Sequence, residues 1–277
     1  MNKQIKQTIT HTIKLNNGVE IPRVGLGVRQ IPDGVAVETA VLNALKSGYR
    51  HIDTAKIYGN EKGVVSAIKK SNIPRKEIFV TTKLWNSDHK DPKKAFEDSL
   101  NRLGLDYIDL YLIHWPVSVR LTTWKVFEEL YSEGKIKAIG VSNFTIAHLE
   151  ELLKVSKIIP QVNQVEFSPF LYQKELLEYC KSKGIVLEAY SPLTQGELMN
   201  NSIITEIAEK HTKSNAQIML RWAIEKDVVV LPKSKTKERI EENIKIFDFE
   251  LDKSDVKKLD ALHSNKRFCW NPETMKF

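Results

Sequence analysis

The sequence predicts an α/β chain closed into a (β/α)8 barrel, the TIM-barrel architecture, with an N-terminal β-hairpin closing its bottom. Three observations point there. Eight short β-rich runs recur along the chain, VGLGV, YRHID, EIFVTTKL, YIDLYLIH, KIKAIGVS, PQVNQVEF, GIVLEAY and VVVLPKS, with helix-like stretches between them. The runs are apolar without much alternation, as parallel strands buried on both faces require. No composition break or Pro/Gly/Ser-rich linker divides the 277 residues, so residues 1–277 read as a single barrel domain.

Taken in order, TITHTIKL alternates, NNG supplies a turn with positive φ, and VEIP resumes the extended pattern, which together predict the hairpin. The segments GVAVETAVLNALKSG, DPKKAFEDSLNRLG, TTWKVFEELYSEG, TIAHLEELLKV and QKELLEYCKSKG carry apolar residues at helical spacing. Gly48, Gly104, Gly134 and Gly184 follow such segments, as helix C-caps do. Strict alternation of strand and helix implies a parallel sheet with right-handed crossovers. No G-x-G-x-x-G opens a helix, and GLG at 25–27 is not one, which disfavours a doubly wound dinucleotide-binding sheet.

The composition is that of an ordinary globular protein, 42% hydrophobic and 28% charged. The formal net charge of +7 would suit an anionic partner, but the lysines are dispersed over polar helix faces such as KKSNIPRKE and DPKKAFED. No nucleic-acid partner is therefore expected. The first ten residues, MNKQIKQTIT, lack a signal-peptide core, and no apolar run approaches the ~18 residues of a membrane span. The chain reads as cytoplasmic, with no membrane partner. Cys180 and Cys269 lie far apart and without a metal-ligating neighbourhood, so reduced thiols and no metal are expected.

In βα barrels the active site lies at the carboxyl ends of the strands. Here those ends are polar: Asp53, Lys83, His114, Ser142, Asn143, Gln164, Tyr190, Ser191, Lys233 and Ser234, with Tyr58 in the loop after the second run. A tyrosine of ordinary pKa near 10 donates a proton poorly at neutral pH unless its phenolate is stabilised. An ammonium does that, and a carboxylate holds the ammonium charged. Asp53, Lys83 and Tyr58 form such a chain, and a neutral His114 is placed to hydrogen-bond a carbonyl oxygen beside the tyrosine hydroxyl.

The segments HIDTAKIYGNE, TTKLWN, YLIHWP, IGVSNF, VNQVEFSP, AYSPL and LPKSKTKERIEEN, in this order and over essentially the whole chain, resemble the signature segments of the aldo-keto reductase family. The resemblance implies reduction of an aldehyde or ketone by hydride from a reduced nicotinamide nucleotide. It makes Tyr58 the general acid, Lys83 the group that lowers its pKa, Asp53 the partner of Lys83, and His114 the group that orients the carbonyl. It further implies that Ser142, Asn143 and Gln164 hold the nicotinamide carboxamide, that Tyr190 stacks on the ring, and that Ser191 and Leu193 lie along the pyrophosphate. Lys233, Lys235 and Arg239, with the hydroxyls of Ser234 and Thr236, enter the helix after the eighth strand and suit a 2′-phosphate, so NADPH is the expected cofactor. Glu242 and Asn243 match adenosine-binding positions of the family.

Trp85 and Trp115 directly follow Lys83 and His114 and are expected to wall the substrate site. The segment PVSVRLTT between Trp115 and Trp124 is short beside the long loop of many relatives, which implies an open pocket and a broad range of small carbonyls: methylglyoxal-like dicarbonyls, aromatic aldehydes and keto esters. Arg29 stands after GLGV, where the family commonly has an aromatic residue. With Lys56 or Arg120 it would favour small polar or anionic carbonyls; the alternative is an arginine that points to solvent. A monomer is expected. Two other functions fit parts of the pattern: a nucleotide-sensing accessory protein with little turnover, and a non-redox barrel enzyme using Lys83 as a Schiff base. The second leaves KSKTKER and SNF without a role.

Overall fold

The computed structural model describes residues 11–275. A two-stranded antiparallel hairpin pairs β1 (Thr12–Lys14) with β2 (Glu20–Pro22) across the turn at Gly18, whose φ is 89°. Residues 1–10, including the first part of the expected hairpin strand, lie outside the described residues.

The eight-stranded parallel sheet follows in sequence order: β3 (Leu26–Gly27), β4 (His51–Asp53), β5 (Phe79–Leu84), β6 (Ile108–Ile113), β7 (Ile136–Ser142), β8 (Val162–Glu166), β9 (Val186–Tyr190) and β10 (Val229–Leu231). It closes on itself through a parallel bridge from Val24 to Val230, where Gly25 N–H donates to Val230 O at 2.9 Å. The expected run VGLGV is a regular strand only at Leu26–Gly27. Steric crowding explains why Gly25 lacks a side chain: a Cβ there would lie 2.6 Å from Leu231 Cδ2 and 2.7 Å from His51 Nδ1.

Helices cover the outside of the barrel: α1 (Val35–Ser47), α2 (Glu61–Lys70), α3 (Pro92–Leu103), α4 (Arg120–Ser132), α5 (Ile146–Leu153) and α6 (Lys174–Ser182). Two helices, α7 (Ser202–His211) and α8 (Asn215–Glu225), separate β9 from β10, and α9 (Lys237–Asn243) and α10 (Lys253–Asp260) follow β10 ahead of the C-terminal segment. Their limits are written locally. Asp91 caps α3 by accepting from Lys94 N–H at 3.0 Å, Pro92 occupies the first helical position, and the helix stops at Gly104 in the left-handed region. Ser214 and Gln217 form a reciprocal capping box on α8.

Every residue of β5 and β6 is buried, so the two faces of the sheet pack into two cores. The outer core joins sheet to helices. The inner one stacks Phe79, Leu110, Leu112, Ala138, Val162 and Val229 inside the barrel, and Leu15 and Ile21 of the hairpin join it. Burying such side chains contributes about 1.5–3 kcal/mol each, which fastens the hairpin to the barrel floor. Asn17 Nδ2 adds a hydrogen bond to Lys137 O at 2.9 Å, and Gln161 Nε2 donates to Asn16 Oδ1 at 3.0 Å. With the floor closed, the strand ends at the opposite mouth are left to carry chemistry. Among the described residues no helix is long and apolar enough to cross a membrane.

Candidate active site

Parallel register sets the centre of the site. Asp53 at the end of β4 pairs with Thr81, and Lys83 of β5 pairs with Leu112 of β6, so Asp53, Lys83 and the residue after β6, His114, come to neighbouring heights at one mouth. Lys83 is 0% and Asp53 4% exposed. Lys83 Nζ donates to Asp53 Oδ1 at 2.6 Å, to Asp53 Oδ2 at 2.7 Å and to Thr54 O at 2.9 Å. These bonds use all three ammonium donors. A buried ammonium without such partners would lose its charge. Burial alone pushes the Lys83 pKa down, but the charge and hydrogen bonds of Asp53 outweigh it and the net displacement is upward.

Tyr58 closes the short turn Lys56–Tyr58 after β4 and is half-buried. Its ring lies 5.3 Å from Lys83 Nζ and meets the His114 ring edge-on at 5.9 Å. The resemblance implies that Lys83 lowers the Tyr58 pKa; burial is the larger influence and, although the Lys83 charge opposes it, the phenol pKa stands above its ordinary value. His114 is held well below the ordinary imidazole value by burial and then by the charges of Lys83 and Arg29. It is therefore neutral at physiological pH. Asn143 Nδ2 donates to His114 O at 2.9 Å and locks the backbone beneath the ring.

Ser142, Asn143, Gln164 and Tyr190 form one contiguous wall. Ser142 Oγ donates to Gln164 O at 2.8 Å, Asn143 N–H donates to the same carbonyl at 2.9 Å, and Tyr190 O–H donates to Asn143 Oδ1 at 2.7 Å. Asn143 and Ser191 both have positive φ, at 64° and 49°, backbone conformations that cost energy outside glycine and that cluster at working sites. Leu193 packs partly buried against the outer core beyond this wall. The Gln164 amide nitrogen is committed elsewhere. This Nε2 donates to Asp53 Oδ2 at 2.9 Å and to Glu188 Oε2 at 2.6 Å.

Trp85 meets His114 edge-on at 5.1 Å, and Trp115 lies 5.8 Å from Trp270. Arg29 is exposed, donates from Nη1 to Cys269 Sγ at 3.4 Å, and acts electrostatically on Tyr58 and His114. Lys56 and Arg120 do not join it: Lys56 is ion-paired with Asp88 and Arg120 with Glu151. The C-terminal segment reaches this mouth because Glu166 accepts from Phe268 N–H at 2.6 Å and Cys269 N–H at 3.1 Å. Sequence reasoning did not find Glu166 or Glu188; the available signals were a charged residue within the run VLEAY for Glu188 and a carboxylate closing β8 for Glu166. Both cysteines are free thiols.

Beyond β10, Lys233, Lys235, Thr236 and Arg239 are exposed, while Ser234 is buried and accepts from Thr236 N–H at 3.0 Å. Among the described residues none of these three cations takes part in an ion pair. Barrel closure brings this loop beside β3, where Gly27 N–H donates to Pro232 O at 3.2 Å. Asn243 is buried at the end of α9, and Glu242 is half-buried beside it.

Residues 23–264 match the model of the aldo/keto reductase family. The chain is 54% identical over 273 residues to glyoxal reductase of Bacillus subtilis, covering 98% of this chain and 99% of that protein. Among solved structures it is similar to an aldo-keto reductase from a deep-sea metagenome library, with a TM-score of 0.93 and 49% identity over 96% of this chain and all (100%) of that one. The aldo-keto reductase of Bombyx mori in complex with NADP superposes with a TM-score of 0.87 at 37% identity, covering 92% of this chain and 94% of that one.

Proposed function

Because the chain belongs to the aldo/keto reductase family, we propose that it is an NADPH-dependent reductase of small aldehydes and ketones in which Tyr58 delivers the proton. The observation that carries this reading is the fully buried Lys83 ammonium, held by both oxygens of Asp53 and lying 5.3 Å from the Tyr58 ring beside a neutral His114.

The donor set at the mouth fits a dinucleotide. The Ser142–Asn143–Tyr190 wall offers polar groups and an aromatic face for a nicotinamide carboxamide and ring. The cations Lys233, Lys235 and Arg239 suit a 2′-phosphate, with Glu242 and Asn243 at the adenosine end. When bound, the reduced nicotinamide supplies the hydride. His114, uncharged, hydrogen-bonds the carbonyl oxygen of the substrate and orients it. Tyr58 moves its proton to that oxygen as negative charge develops there. Lys83 stabilises the phenolate left behind, and Asp53 keeps Lys83 charged. Trp85 and Trp115 wall the substrate.

Glyoxal reduction by the Bacillus subtilis relative supports small dicarbonyls as substrates. Arg29 deepens that preference toward carbonyls carrying a carboxylate, because its guanidinium is exposed at the mouth and its charge reaches Tyr58 and His114. The protein acts as a cytoplasmic monomer in this reading. The test is NADPH and NADH oxidation over glyoxal, methylglyoxal, an aromatic aldehyde and a carboxylated aldehyde. Turnover with NADPH preferred is expected, and tight nucleotide binding without turnover of any carbonyl would contradict it. Arg29→Trp is expected to lower kcat/KM for the carboxylated aldehyde about tenfold relative to the neutral ones, the loss of one charge-assisted hydrogen bond. An unchanged ranking would remove Arg29 from the account.

A further inference from the structure

Beneath the Asp53–Lys83 pair lies a second buried carboxyl that the reaction, as described, does not use. Glu188, in the middle of β9, is 0% exposed. Its Oε2 accepts from Gln164 Nε2 at 2.6 Å, and the same nitrogen donates to Asp53 Oδ2 at 2.9 Å. Two carboxyl oxygens thus share one amide nitrogen and cannot be further apart than the sum of those two bonds. The charged and titratable groups facing Glu188 come from strands across the barrel: His51 and Asp53 on β4 and Lys83 on β5. His51 Nε2 lies 3.7 Å from Glu188 Oε1 and 2.9 Å from Thr81 Oγ1. It is no counter-ion, since burial and the charge of Lys83 hold it neutral. Among the described residues Lys83 is the cation buried with these two carboxyls, and it gives two of its three donors to Asp53 and the third to Thr54 O. Glu188 Oε1 has no hydrogen-bond partner.

A buried ion without a counter-charge is costly, and like charges this close do not both ionise. Asp53 has the ammonium, so Glu188 is the neutral one. We infer that Glu188 is a protonated positioning residue that turns the Gln164 amide, so that its NH2 is spent on Asp53 and Glu188 and only its carbonyl oxygen is left to receive a nicotinamide carboxamide N–H. Burial and then the charge of Asp53 raise its pKa, in agreement. Gln164 thereby links the bound nucleotide to the pair that tunes Tyr58. The role toward the nucleotide rests on the NADPH reading; the protonation does not.

Two measurements separate them. Infrared difference spectra of the nucleotide-free wild type against Glu188→Gln at neutral pH are expected to show the carbonyl stretch of a protonated carboxylic acid, lost in the variant. A carboxylate signal in its place would overturn the inference. NADPH titration by protein fluorescence is then made on wild type, Glu188→Leu and Glu188→Gln. Releasing the Gln164 amide in the leucine variant is expected to weaken NADPH about tenfold, while the glutamine variant, which can still accept from Gln164, recovers most of that loss. If the leucine variant does not fold, the glutamine spectrum still decides protonation. Variants that lose only thermal stability and bind NADPH like the wild type would reduce Glu188 to packing. A wild type that binds no NADPH would instead refute the cofactor reading and leave the infrared result standing.

Discussion

A single ammonium deep in an apolar barrel is the residue on which the account turns. Lys83 stays charged because Asp53 meets it with two oxygens, and removing one partner strands the other. Lys83→Met is therefore expected to cost about 3–5 kcal/mol in urea unfolding as well as turnover, since an uncompensated Asp53 would remain buried. A variant as stable as wild type would show that Asp53 sheds its charge by taking up a proton. His51 supplies the pH dependence. Its pKa is pushed from 6.5 down to about 3, chiefly by burial. The folded state thus binds fewer protons than the unfolded one in that window, so the stability present above pH 6.5 is lost as pH falls toward the folded value. Urea unfolding at neutral and acid pH should show a loss on the order of a few kcal/mol that His51→Gln partly removes, leaving the acid response of the carboxylates. A variant with an unchanged pH profile would contradict this. The Asp53, Lys83, Tyr58 and His114 cluster was legible in the sequence because each residue ends, or follows, an apolar run. Gln164 was legible as a strand-end residue, but its orientation was not, because that depends on Glu188 on the next strand, a contact no spacing encodes.

At the scale of elements, the repeated strand and helix rhythm was readable because strands buried on both faces are rich in apolar residues, as in β6 (IDLYLI) and β10 (VVL). Helix limits were readable where capping residues write them, as Asp91, Gly48 and Gly104 do. Less readable were the first barrel strand, cut short where Gly25 yields space to His51 and Leu231, and the C-terminal segment. That segment is held by Glu166, whose hydrogen bonds to Phe268 and Cys269 no local spacing encodes. In the proposed function the loop between β10 and α9 sets the cofactor preference. Its three exposed cations make no ion pair among the described residues, so their positive charge is available to a phosphate. Lys235→Ala together with Arg239→Ala is expected to raise KM for NADPH about tenfold or more and to leave KM for NADH within about twofold. Equal losses for both nucleotides would place the 2′-phosphate elsewhere.

At the scale of the whole molecule, one end of the barrel is closed and the other works. Leu15 and Ile21 seal the floor into the inner core, and the side chains of Asn16 and Asn17 tie the hairpin to Gln161 just before β8 and to Lys137 of β7. The opposite mouth gathers groups from the ends of β4 through β10, so residues far apart in sequence become one site. The +7 charge is spread over surfaces rich in ion pairs, with a concentration at Lys233, Lys235 and Arg239 that is unpaired among the described residues. The most direct test of the central claim is the single-turnover rate of NADPH oxidation by a small dicarbonyl in wild type and Tyr58→Phe, with NADPH affinity measured on the same samples. The expected result is a rate lower by about 10²–10⁴-fold with affinity unchanged, the loss of one general acid. A Tyr58→Phe enzyme that turns over at the wild-type rate would contradict the account.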